Sequence, residues 1–130
     1  MTRSGRFAIR IDAEHKRRFM VATRRYRASP VLRALLRGYA QGWLNPRPDT
    51  LADEQREHRS EADPGRETRI YLRLEPELHR RFVQRAGGET RASAVARALI
   101  VDVATGKREI SSAMLERESQ RAKRTPAPKT

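Results

Sequence analysis

The 130-residue chain has no cysteine, one tryptophan, three tyrosines and three phenylalanines. Without thiols it can build neither a disulfide framework nor a thiolate metal site, which suits a reducing, cytoplasmic setting. Apolar residues are scarce at 37%, so the core must be small, and part of the chain is expected to be disordered. Acid is short as well: 16 carboxylates face 29 lysines and arginines, for a formal net charge of +13. Such an excess bears on partners rather than fold and points to DNA, RNA or an anionic membrane. The most apolar run, from Ala94 to Ala104, is interrupted by Arg97 and Asp102 and is too short to span a bilayer, so no membrane association is expected. The opening residues, Met1 to Arg6, lead straight into an alternating segment and lack the pattern of a signal peptide. There is no glycine-rich phosphate loop, no nucleophile with a base, and no ligand spacing around His15, His58 or His79. The sequence therefore predicts no enzyme, no cofactor and no metal.

What is present is ordered by alternation. In Arg69-Ile70-Tyr71-Leu72-Arg73-Leu74 every second residue is apolar, as it is in Arg6-Phe7-Ala8-Ile9-Arg10-Ile11. A strand sends successive side chains to opposite faces, so each segment reads as a half-buried strand. Ile70, Leu72 and Leu74, with Phe7, Ile9 and Ile11, form the oily faces. Arg69, Tyr71 and Arg73, with Arg6, Ala8 and Arg10, form the outer ones. Arginines on an exposed strand face in so basic a chain predict a β-ribbon lying against nucleic acid.

Each strand leads into two helices. Asp12 is a suitable N-cap for a basic helix with Phe19 and Ala22 inward, ending near Arg25–Tyr26. Arg27-Ala28-Ser29-Pro30 reads as a turn into a second helix, with proline in its first turn. Val31, Leu32, Leu35, Leu36 and Tyr39 recur at helical spacing, and Gly42 is its C-cap. In the second half, Glu75-Pro76-Glu77 opens a helix with Leu78, Phe82, Val83 and Ala86 inward, closed by Gly87-Gly88. Thr90 or Ser93 then caps a helix whose apolar stripe is Val95, Leu99, Ile100 and Val103, ending at Gly106. The halves align. Arg10 falls on Arg73, Glu14 on Glu77, and Arg17-Arg18-Phe19 on Arg80-Arg81-Phe82. With a one-residue shift at the turn, Arg27-Ala28-Ser29 falls on Arg91-Ala92-Ser93, and Gly42 on Gly106. The chain contains an internal repeat.

The organisation read from this is a first repeat over 1–43, an acidic linker over 44–68, a second repeat over 69–106, and a polar basic tail over 107–130. One or more helical turns are allowed around Leu51–Arg59 in the linker. In the tail, Ile110, Met114 and Leu115 suit a short helix, and residues 121–130 read as disordered.

Strand, helix, turn with Arg-Ala-Ser, helix resembles the ribbon-helix-helix unit of the Arc/MetJ-type superfamily. Ile70 to Leu78 resembles that family's strand-to-helix junction, and Arg91 to Leu99 its second helix. The resemblance covers both repeats, about two thirds of the chain. It implies an α+β fold, mainly α, in which two units intertwine, their strands pair antiparallel, and the ribbon enters the DNA major groove. With both units on one chain, the implied architecture is an intramolecular pseudo-dimer of two strands and four helices. This tandem form is similar to TraY-type relaxosome accessory proteins and to a T-DNA-transfer accessory protein that binds overdrive. The expected function is sequence-specific binding of double-stranded DNA, as an accessory factor at a transfer origin that cooperates with a relaxase. The expected state is a monomer in solution, with assembly on DNA left open. A transcriptional repressor of plasmid or mobile-element genes, and an antitoxin-like interaction protein, are the alternatives.

Arg6, Ala8, Arg10, Arg69, Tyr71 and Arg73 are the expected base contacts. Arginine donates two bonds to guanine O6 and N7, and tyrosine can cover a thymine methyl or bond a base edge. An ordinary solvated strand face would carry the same residues. Arg27, Ser29, Thr90, Arg91 and Ser93 are the expected phosphate contacts, because a helix start offers unpaired N–H groups beside a hydroxyl and a guanidinium. Plain N-capping would use the same hydroxyls. Pro30 removes one N–H donor from the first of these clamps. Lys16, Arg17, Arg18, Arg24, Arg25, Arg80, Arg81 and Arg85 read as solvated helix faces.

Overall fold

The computed structural model describes residues 5–57, 67–110 and 115, with only the backbone at 5, 6, 57 and 67. Among these residues the chain is α+β and mainly helical. It runs β1 (Gly5–Asp12), α1 (Ala13–Thr23), α2 (Ala28–Gln41), α3 (Pro48–Glu57), β2 (Glu67–Leu74), α4 (Pro76–Ala86) and α5 (Glu89–Ala104).

β1 and β2 form a two-stranded antiparallel sheet, from Gly5 opposite Leu74 to Asp12 opposite Glu67. A lone pair of strands is not stable in water. Here alternation lets the pair bury one face: Phe7, Ile9, Ile11, Ile70, Leu72 and Leu74 are all buried. Asp12 caps α1, its carboxylate accepting from the backbone N–H groups of Glu14 at 3.0 Å and His15 at 3.4 Å. Pro76 opens α4 where its missing N–H has no bond to lose.

The helices pack crosswise. α1 lies mainly on α5, and α2 on α4, while α5 also contacts β1 and α2 contacts β2. Phe19, Leu35, Phe82 and Leu99 are fully buried. Phe82 is the hinge of an aromatic cluster, meeting Tyr39 and Phe7 edge-on at centroid distances of 5.3 and 5.9 Å.

Three expectations are corrected. Ala22 is exposed, and Thr23 is the buried residue one position later. Its hydroxyl donates to the Phe19 carbonyl at 2.8 Å, so the polar atom carries its own partner inside. Neither Thr90 nor Ser93 caps α5. The glycine pair 87–88 lets the helix start at once from Gly88, so both residues fall inside it. The buried surface of α5 is also wider than a stripe, with every residue from Ala94 to Val103 buried. A helix buried all round needs neighbours on all sides, and the neighbour missing from the reading is α3.

That fifth helix lies in the segment read as linker. It docks on α5 through polar side chains. Asp102, fully buried, accepts from the Arg47 backbone N–H at 2.9 Å and from the Thr50 hydroxyl at 2.7 Å. Arg97 and Glu54 form a buried ion pair at 3.2 Å. The two residues that interrupt the apolar run thus meet their partners on and just before α3. In the tail, Ile110 and Leu115 pack partly buried against the core. Met114, residues 121–130, and the linker's Glu61, Asp63, Pro64 and Gly65 lie outside the described residues.

Candidate nucleic-acid interface

The outer face of the ribbon follows from the same alternation that buries the inner one. Ala8, Arg10, Arg69, Tyr71 and Arg73 are exposed, Tyr71 to 54%. The register brings them together: Arg10 opposite Arg69, Ala8 opposite Tyr71, and Arg73 opposite Arg6, whose side chain lies outside the described residues. Lys16 on α1 donates from Nζ to the Arg69 carbonyl at 3.1 Å, adding an ammonium at the ribbon edge. No sequence signal marks this contact. Acid enters the sheet only at its end, where Asp12 faces Glu67 and Asp12 is held by its cap.

The other basic clusters are arranged differently. On α1, Glu14 accepts from Arg17 Nη2 at 2.6 Å and from Arg18 Nε at 3.0 Å. On α4, Glu77 accepts from Arg80 and Arg81 at the same two distances. Hydrogen bonds from the two guanidinium groups push the Glu14 carboxyl down to about 2, and those from Arg80 and Arg81 lower Glu77 as well. The bond to Glu14 correspondingly raises Arg17, and that to Glu77 raises Arg80. These four arginines are tied into solvated triads. Arg85 is occupied too, with its guanidinium 4.9 Å from the Tyr39 ring centroid and bonded to Asn45 Oδ1 at 2.9 Å.

The expected phosphate residues sit on two separate helices, except Arg27, which immediately precedes α2. Ser29 is exposed in the first turn of α2. Thr90 and Arg91 are exposed in the first turn of α5, while Ser93 is half-buried one turn in. Neither helix has a side-chain cap, and the first intrahelical bond of α5 is Ala92 N–H to the Gly88 carbonyl. The N–H groups before it have no partner within the helix. The two starts are unlike. Where the second copy has its glycine pair, the first has Arg24 and Arg25, and its helix begins at Ala28 after Arg27 at φ 77°, ψ 140°. That backbone region is almost reserved for glycine and costs an arginine about 1–3 kcal/mol.

An open groove of about 490 Å³ runs between α3 and α5, lined by Gln55, Arg56, Thr90, Arg91 and Arg97 among others. Two of its guanidiniums already have carboxylates, Arg56 with Asp53 and Arg97 with Glu54. Sequence reasoning missed Arg97, Asp102, Glu54 and Thr50. The signal was two polar residues inside an apolar run, with acids and a hydroxyl in the preceding linker.

Among the described residues no three histidines or carboxylates are grouped to hold a metal, and no helix is long and apolar enough to cross a membrane. The chain has no significant match among protein-family models, curated proteins or solved structures.

Proposed function

We propose that this chain binds double-stranded DNA by laying the outer face of its β-ribbon in the major groove, as a single-chain pseudo-dimer of ribbon-helix-helix type. The observation that carries the reading is the register. Ala8 and Tyr71 hold the same place in the two repeats and are also paired with each other. Two residues outward, Arg10 faces Arg69 and Arg73 faces Arg6, and the repeat exchanges these pairs. A ribbon whose strands are related by an internal two-fold matches the two-fold symmetry of duplex DNA. The crosswise packing of α1 on α5 and α2 on α4 supports the same pseudo-symmetry, and the net charge of +13 suits a polyanion. In this reading Arg10, Arg73 and Tyr71 touch bases, while Ser29, Thr90 and Arg91 hold phosphates. The role we assign is that of an accessory factor at a transfer origin, acting beside a relaxase supplied by another chain.

Footprinting on DNA flanking the chain's own gene, including any transfer origin, tests the reading. A protected site is expected, with affinity falling by about 10³–10⁵ between 50 and 200 mM salt if six to ten phosphates are neutralised. Arg10→Ala and Arg73→Ala should each weaken that site by about 1–3 kcal/mol and relax base preference at one or two positions. Equal losses on specific and random DNA would reassign both residues to phosphate. Salt-independent binding would remove the DNA reading altogether.

A further inference from the structure

The arginines of the ribbon's outer face are arranged symmetrically about its middle, with the acidic pair Asp12 and Glu67 beyond them at one end. The two cross-strand pairs that flank the centre on this face are Arg10 with Arg69 and Arg6 with Arg73, so all four flanking places are arginine. The central pair is Ala8 with Tyr71, a methyl beside an exposed phenol. The repeat swaps the flanking pairs and turns the central pair onto itself.

We infer that Tyr71 sets the direction in which the chain lies on its DNA site. This rests on the DNA reading above. Four arginines related by a two-fold can engage an inverted repeat equally well in two orientations, so they cannot tell one from the other. The helix starts cannot choose either. α2 and α5 begin differently, but phosphates carry no sequence information, and turning the complex round exchanges equivalent phosphates. Asp12, at the acidic end of the sheet, has its carboxylate engaged as the α1 cap, so among the residues over the bases the choice falls to the central pair. Ala8 can do little more than touch a thymine methyl, whereas Tyr71 offers a ring to cover that methyl and a hydroxyl to bond a base edge. Its reach therefore falls on one side of the centre, where it should favour one orientation by about tenfold, the low end of what a specific base contact gives. An oriented complex has distinguishable ends, because α3 covers α5 and gives a partner protein a defined side to meet.

The test uses the absence of cysteine. Gln55 is exposed on α3, and Gln55→Cys provides a single attachment point for a DNA-cleaving reagent. Duplexes are selected from a random pool with the otherwise wild-type chain, with Tyr71→Ala, and with the exchange Ala8→Tyr, Tyr71→Ala. Thermal melting confirms that each is folded. The wild-type chain should select flanks that form an inverted repeat around an asymmetric centre, and should cleave one side about ten times more than the other. Tyr71→Ala should keep the flanks, lose the central preference and cleave both sides alike. The exchange should select the reverse complement of the centre and cleave the opposite side. Equal cleavage by the wild-type chain on its selected site, or an exchange that leaves centre and side unchanged, overturns the inference while DNA binding stands. Failure of the wild-type chain to select any duplex overturns the DNA reading, and this inference with it.

Discussion

Replacing Glu54 by alanine should be among the most damaging single changes in the chain, although Glu54 lies in a segment that reads as linker. Its carboxylate is 3.2 Å from Arg97 Nε, and the two side chains are 9% and 8% exposed. Arg97 Nη2 is buried with no hydrogen-bond partner, so the guanidinium has little to fall back on. Removing one member of a buried pair leaves an uncompensated charge and costs about 3–5 kcal/mol. With a urea m-value of about 2 kcal/mol/M, the unfolding midpoint should fall by about 1.5–2.5 M. Undocking of α3 offers an escape by letting Arg97 reach water. The loss is then capped at the docking free energy of α3, and m falls too, because less surface remains to be exposed. Glu54→Met with Arg97→Met removes both charges and should cost under about 1 kcal/mol, or even stabilise. Urea titrations of Glu54→Met, Arg97→Met and the double variant form the cycle. A midpoint shift below about 0.3 M for Glu54→Ala, with a double variant equal to the sum of the singles, would refute the buried pair.

Three further outcomes follow from local geometry. Arg27→Gly should raise stability by about 1 kcal/mol by releasing an arginine from a glycine-type conformation, and Arg27→Ala should not; equal melting temperatures for the two would show that no strain is held there. A methyl on Gly38 would meet Leu44 Cβ at 3.0 Å and the Trp43 ring at 3.1 Å. For Gly38→Ala an overpacking cost of about 1–3 kcal/mol should exceed the gain of about 1 kcal/mol in helix propensity, so a net loss is expected in denaturant titration. Because Glu14 is depressed in the folded chain to about 2, its contribution is complete above the ordinary value near 4.5 and is lost as pH falls through about 2; carboxyl NMR of the folded protein should find it titrating at the lower value, and a midpoint near 4.5 would break the triad.

Local pattern alone was enough for the strands, most helix ends and the inner core. Alternation in 69–74 and 6–11 assigned both faces of the ribbon, since a strand has only two sides. Helical spacing singled out Phe19, Leu35, Phe82 and Leu99, all fully buried. Gly42 and Gly87 mark helix ends because each takes a positive φ there. The repeat, too, is a property of the sequence. Where these signals stop, tertiary contact decided. The choice of Thr23 over Ala22 as the buried residue, and the start of α5 at Glu89, depended on where a hydroxyl and a helix end found partners. α3 carries few apolar residues, so its place was not legible; it docks because Arg97 and Asp102, on another element, need Glu54, Thr50 and the Arg47 N–H. A polar residue in an apolar run announces that a partner exists, but not which one. The register is of the same kind, since alternation permits any slip by two residues. The repeat brings Ala8 and Tyr71 near each other at the ribbon centre, and the packing of both strands over one core sets them directly opposite, because that alignment lets Phe7, Ile9, Ile11, Ile70, Leu72 and Leu74 leave water together.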